Sequence, residues 1–146
     1  VLFTGKDFLF LDFEGEVSRS FGERRIKRSP LRDAAGMIRS FDYITQVALF
    51  KQIELGAMQA KDLPTLRPWT DFWYRWVSAT FLKSYLKVMS DSGLLPRNRE
   101  QLAVLLEAHL LEKALHEIAY ELTHRPDWVR IPLHGILQLL EPGKPS

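Results

Sequence analysis

The sequence predicts a mostly α-helical domain with a small β-hairpin at its N-terminal end. Three observations predict it. Apolar residues recur every three or four positions over three long stretches, the spacing of one buried helical face. Helix start and stop residues bracket those stretches, with Ser29-Pro30 and Asn98 before them and Gly56, Ser92-Gly93 and Pro126 after them. Two short apolar runs flank Thr4-Gly5-Lys6-Asp7, a tight turn in which Gly5 supplies the unusual φ.

Taken in order, the hairpin runs from Val1 to Asp12, and Phe8-Leu9-Phe10-Leu11 reads as a buried strand. That strand delivers Asp12 and Glu14 to the point where Gly15 lets the backbone turn away. Carboxylates there suit a metal or phosphate site, and they equally suit capping of a turn by side-chain oxygens. Residues 13–29 have no sustained apolar period and read as a loop. Ser29 as N-cap and Pro30 at the first helical position then start a helix that runs to about Leu55. Asp33 complements its dipole, and Leu31, Ala34, Ile38, Phe41, Ile44 and Ala48 form its apolar face.

The proline-rich stretch from Asp62 to Pro68 reads as a connector. A second helix, from about Trp69 to Ser90, carries Trp69, Phe72, Trp73, Trp76, Phe81 and Tyr85, and this much aromatic surface is expected to be buried in the core. Asn98 caps a third helix, with Gln101 placed as in a capping box, and the helix reaches about His124. Leu111, Leu115, Ile118 and Leu122 are its expected core stripe. Lys113, Glu117, Tyr120 and His124 share another face, which reads as a solvated face with an ordinary ion pair or as a ligand-facing one. Arg125-Pro126-Asp127-Trp128 makes a rigid corner, and a last helix runs from Pro132 to about Leu140. An Arg and a Trp held by a proline turn beside Lys, Glu and Tyr resemble a carbohydrate-binding constellation; a capping Arg and a core Trp are the alternative.

With 146 residues, 46% hydrophobic and 12% aromatic, the chain is long enough for one domain with a core, which excludes a disordered or fibrous class. It has no cysteine, hence no disulfide framework and no thiolate metal site, and cytoplasm is the default compartment. No apolar run approaches the roughly 20 residues needed to span a bilayer, so no membrane partner is expected. The net charge of +2 is too small to imply a nucleic-acid partner, although Arg19, Arg24, Arg25, Lys27, Arg28 and Arg32 form a basic stretch beside the acidic strand end. Phosphate contacts by that stretch would give strongly salt-dependent DNA binding, and none is expected.

Four stretches carry a resemblance: FLDFEGE (10–16), GERRIKRSPLRDAAGMIRSFDY (22–43), LLEKALHEIAYELTHRPDW (110–128) and RIPLHGI (130–136). With them the chain resembles the C-terminal lobe of bacterial maltokinases, most of all the kinase portion of trehalose synthase–maltokinase fusion proteins. The resemblance implies the C-terminal lobe of a protein-kinase-like, aminoglycoside-phosphotransferase-like fold, with ATP as co-substrate and maltose as acceptor. The product would be maltose 1-phosphate, which feeds α-glucan synthesis. Asp12 would hold Mg²⁺ as the Asp of a DFG-like element, Glu14 would be a weaker metal ligand, and Asp33 would steady the catalytic loop. Arg125 is implied as the main sugar contact, followed by Lys113, Glu117, Tyr120 and Trp128. Residues 1–28 would form the hairpin and metal-site loop, and 29–146 the helical, sugar-binding part of one partial domain.

Val17 stands where the family commonly has Pro, which loosens the loop entering the basic stretch, and His134 where many members have Arg. In the family a loop with a His-Gly-Asp opening and a Gly-Gln near its end runs into a pair like Val1-Leu2. The catalytic Asp, the adjacent metal-binding Gln and the nucleotide-clamping N-lobe are therefore expected upstream of Val1, and the chain alone is expected to be inactive. A trehalose synthase domain in the same polypeptide is a further implied partner. The competing reading is a non-catalytic helical module that binds sugar or a protein.

Overall fold

The computed structural model describes residues 2–9, 11 and 20–140. Strands β1 (Leu2–Phe3) and β2 (Phe8–Leu9) pair antiparallel, with Leu2 opposite Leu9 and Phe3 opposite Phe8. Gly5 turns the chain with φ of 93°, and the Thr4 hydroxyl and N–H both donate to the Asp7 carbonyl. The strand is not buried as expected: Phe8, Leu9 and Leu11 are all at least half exposed. A ladder two residues long has one neighbouring strand, and its faces stay open. The stretch expected to be loop contains a one-turn helix, α1 (Phe21–Arg24). Ser20 and Glu23 form a capping box around it, with the Ser20 N–H donating to Glu23 Oε2 at 3.0 Å. One turn is too short to show an apolar period.

Helix α2 (Leu31–Glu54) starts one residue later than the sequence predicts, with Pro30 at the N-cap and the Ser29 hydroxyl accepting the Leu31 N–H at 3.3 Å, and Gly56 follows its end with φ of 70°. Its buried face holds Leu31, Ala34, Ala35, Ile38 and Leu49 together with Arg39, Asp42, Thr45 and Gln46. Ile44 and Ala48 are exposed rather than on that face. Two successive steps of three residues, 38 to 41 to 44, carry the side chain about 120° round the axis.

The expected connector is helical as well. After a 3₁₀ turn at Ala60–Asp62, α3 (Leu63–Met89) begins six residues ahead of Trp69. Pro64 lies in its first turn, where a missing N–H costs nothing, and Pro68 lies one turn further in. The expected burial of its aromatics holds in part for Phe81 and Tyr85, which are half-buried, and fails for Trp69, Phe72, Trp73 and Trp76. No residue of α3 is fully buried, and Trp69 and Trp76 are 69% and 61% exposed, with Phe72 and Trp73 also largely open. What α3 puts inward is Tyr74, Phe81 and Leu82, which pack on Ala35, Ile38, Leu106 and Leu110. Phe41 meets Trp73 and Phe81 edge-on, at 6.5 and 5.7 Å between centroids.

Helix α4 (Arg99–His124) is capped by Asn98, whose Oδ1 accepts the N–H groups of Glu100 and Gln101 at 2.8 and 3.2 Å. Its buried stripe is Leu106, Leu110, Ala114 and Glu121, while the expected core residues Leu115 and Leu122 are exposed. The core face is thus turned about a third of a revolution toward the polar residues. A second 3₁₀ turn (Pro126–Trp128) leads into α5 (Arg130–Leu140), which buries Ile131, Pro132 and Gly135. Helix α2 packs against α3 and α4, and α4 against α5. No described helix is long and apolar enough to cross a membrane.

Candidate functional site

The turn of α4 became polar because α2 presents polar groups to it. Arg39, 3% exposed, donates from Nη1 to Asp42 Oδ2 at 2.7 Å, and from Nε and Nη2 to Glu117 Oε2 at 3.1 and 2.7 Å. Burial alone pushes the Arg39 guanidinium down, and the Glu117 and Asp42 carboxylates outweigh it, holding the group above its ordinary value. Gly135 on α5 makes room for this arrangement: a Cβ there would lie 2.7 Å from Arg39 Cζ and closer still to Nη1. Tyr74 stands nearby, its phenol pushed up by burial and further by Asp42.

One turn along α4, Glu121 forms a second cluster. Its carboxylate, 2% exposed, receives Arg125 Nε at 2.9 Å on Oε2 and Nη2 at 2.7 Å on Oε1. The Tyr43 hydroxyl of α2 also donates to Oε1. Burial first, and then this bond to Glu121, push the Tyr43 phenol well above its ordinary value. Pro126 opens the 3₁₀ turn after α4, and the Trp128 N–H donates to the Arg125 carbonyl at 2.8 Å, which brings the indole back over Arg125. The guanidinium sits 4.4 Å from the centre of the Trp128 ring and 5.5 Å from that of Tyr120, which itself stacks on His124 at 4.2 Å. Tyr43 and Trp128 are 6.3 Å apart.

The structure therefore brings Arg125, Tyr120 and Trp128 into one corner. Glu117 is different: it faces Arg39 inside the helix pair, so it belongs to the buried network and not to a solvated face. Lys113 lies twelve residues before Arg125 on the same helix, roughly 18 Å along its axis, and does not reach the corner. Asp33 is exposed in the first turn of α2, the position that suits the dipole, and its charge adds to the effect of burial in raising the Tyr85 phenol. Asp12 and Glu14 lie outside the described residues. Among the described residues, no group of three or more His, Cys, Asp or Glu stands together as a metal site.

Tyr43, Glu121 and Arg39 do not stand out as site residues in the sequence. Glu121 had a local signal, since it precedes Arg125 by four residues, the helical ion-pair spacing. Tyr43 and Arg39 meet α4 across 78 residues of chain and leave no local signal.

Chemically the corner is built to bind and orient. Both Glu121 oxygens are engaged, so the carboxylate is not poised as a general base. Arg125 is held by two of its nitrogens and remains 43% exposed beside aromatic carbon, an arrangement suited to a neutral ligand with hydroxyl groups and an apolar face. No protein-family model matches the chain.

Proposed function

We propose that this chain is the C-terminal lobe of a maltokinase, which transfers the γ-phosphoryl group of ATP to the anomeric hydroxyl of maltose. The observation that carries the reading is the Arg125 corner. A guanidinium fixed by Glu121 and stacked on Trp128 supports a sugar site, because it offers a preorganised donor and ring surface in one place. Its sequence context, LLEKALHEIAYELTHRPDW at 110–128, is one of the four stretches that resemble maltokinases.

In this reading Arg125 orients the sugar, Tyr120 and Trp128 contact its ring, and Asp33 steadies the catalytic loop. Glu117 acts through Arg39 and the α2–α4 pairing. Lys113 has no part in the corner. A hard carboxylate such as Asp12 has the donor chemistry for Mg²⁺, which when bound would neutralise phosphate charge, and Glu14 would be a weaker ligand. The His-Gly-Asp opening of the family's catalytic loop has no match in the 146 residues, so phosphoryl transfer needs a further segment and a nucleotide-clamping lobe. A fusion to trehalose synthase belongs to the same proposal.

Arg125→Ala in the complete enzyme is expected to raise the KM for maltose far more than that for ATP. Equal effects on both would make Arg125 structural. The exposed aromatic row of α3 favours a second reading, a module that binds a protein partner without catalysis. Maltose 1-phosphate formation by the complete polypeptide, abolished on removing this lobe, separates the two.

A further inference from the structure

Among the described residues, the polar and ring contacts that build the Arg125 corner are local, with one exception. Tyr120, Glu121, His124, Arg125 and Trp128 lie between residues 120 and 128, on the last turns of α4 and the 3₁₀ turn after it. Held only to one another, residues at a helix end move together as that end opens and closes. Tyr43 is the exception. It stands on α2, 78 residues before Glu121, and touches the corner twice. Its hydroxyl donates to Glu121 Oε1, the oxygen that also accepts Arg125 Nη2, and its ring lies 6.3 Å from that of Trp128. Burial raises the Tyr43 phenol, so it stays protonated and donates throughout the neutral range. Glu121 is 2% exposed, which leaves water little room to replace that donor.

The tie matters because of what Arg125 has left to offer. Glu121 takes Nε and Nη2 on one edge of the guanidinium, and Nη1 bonds to neither of its oxygens. The Nη1–Nη2 edge therefore faces away from the carboxylate, with one N–H of each nitrogen pointing out in parallel. Two parallel donors of this kind match a pair of neighbouring hydroxyls on a sugar ring, and the Glu121 charge disfavours an anion in their place. Paired hydrogen bonds tolerate little misalignment, since each weakens steeply below about 120°. Affinity at the corner then depends on how firmly the guanidinium is aimed.

We propose that Tyr43 is a positioning residue of the sugar site: acting through Glu121 and against Trp128, it aims the outward edge of Arg125 at two adjacent hydroxyls of the sugar. Through this one phenol a locally built corner becomes part of the α2–α4 framework. The sugar rests on the maltokinase reading, whereas the bracing of Arg125 by Tyr43 rests on the contacts alone.

Tyr43→Phe removes one oxygen and keeps the ring, so the fold is expected to persist, with circular dichroism as the check. The first readout is the Arg125 Nε–H, followed by ¹⁵N relaxation in the 146-residue chain. Its order parameter should be about 0.85 in the parent and below about 0.6 in Tyr43→Phe. Tyr85→Phe, which removes a phenol bond of 2.8 Å to the Pro30 carbonyl, should leave it at the parent value. In the complete enzyme, Tyr43→Phe should raise the KM for maltose about tenfold and move that for ATP less than about twofold. Added to Arg125→Ala, it should change neither. A guanidinium as ordered in Tyr43→Phe as in the parent, equal effects on the two KM values, or a maltose effect that persists in the Arg125→Ala background would each overturn the proposal. A complete parent enzyme that forms no maltose 1-phosphate would instead remove the maltokinase reading and the sugar with it, while the order parameters would still decide whether Tyr43 holds Arg125.

Discussion

Helices α3 and α4 are nearly equal in length, 27 and 26 residues, yet α3 buries no residue fully whereas α4 buries Leu106, Leu110, Ala114 and the charged Glu121. Helix α3 leaves Trp69 and Trp76 more than half exposed, while α4 buries the carboxylate of Glu121 almost completely. The difference lies in what each helix meets. Helix α4 faces Arg39 and Tyr43 of α2, which supply donors to Glu117 and Glu121, and it packs on α5 as well. Helix α3 rests on α2 with a narrower apolar face. Residue type sets the cost of burial, and the partner on the facing helix decides whether that cost is met.

The sharpest way to break this contrast is to remove the cation between the acids. Arg39→Met leaves Asp42 and Glu117 buried without their partner, and a loss of about 3–5 kcal/mol is expected in urea unfolding. A loss below about 1 kcal/mol would mean that the network does not hold α2 to α4. Gly135→Ala pushes a methyl group into the Arg39 guanidinium, and about 1–3 kcal/mol is expected from the same measurement. In the Arg39→Met background that cost should shrink, because the two changes act on one contact.

Alkaline pH provides a milder probe. Tyr43, Tyr74 and Tyr85 all have phenols raised above their ordinary value of 10.0, chiefly by burial. Raised phenols bind protons more tightly in the folded state, so their contribution is complete below about pH 10 and declines as pH rises through the folded values. Thermal midpoints should therefore fall above about pH 10, and less steeply in Tyr43→Phe. A pH profile in Tyr43→Phe identical to that of the parent chain would remove the Tyr43–Glu121 bond from the account. The smallest effect is expected on α3, where Trp76→Ser should shift stability by no more than about 0.5 kcal/mol. A larger loss would show that the aromatic row is covered.

These contrasts mark what was legible in the sequence. The mostly helical class with its hairpin was legible, as were the caps at Ser29 and Asn98 and the stops at Gly56 and Gly93, because each depends on neighbours within four residues. The corner at Arg125 and Trp128 was legible for the same reason, Pro126 fixing the turn locally. Which face of each long helix turns inward was not. Leu115 and Leu122 have the right spacing for a core stripe, but the choice of face was made by Arg39 and Tyr43, residues distant in sequence. The tryptophans misled for the converse reason: their size argues for burial, and only the position of α2 shows how little of α3 is covered.

In the proposed maltokinase reading, sugar binds at the Arg125 corner and not on the exposed aromatic row. Saturation-transfer NMR of maltose with the 146-residue chain tests it most directly. Transfer to the glucose ring protons is expected, lost in Arg125→Ala and in Trp128→Ala, each checked for helical content, and kept in Trp76→Ser. Transfer that survives both corner substitutions, or that vanishes with Trp76→Ser, would contradict it.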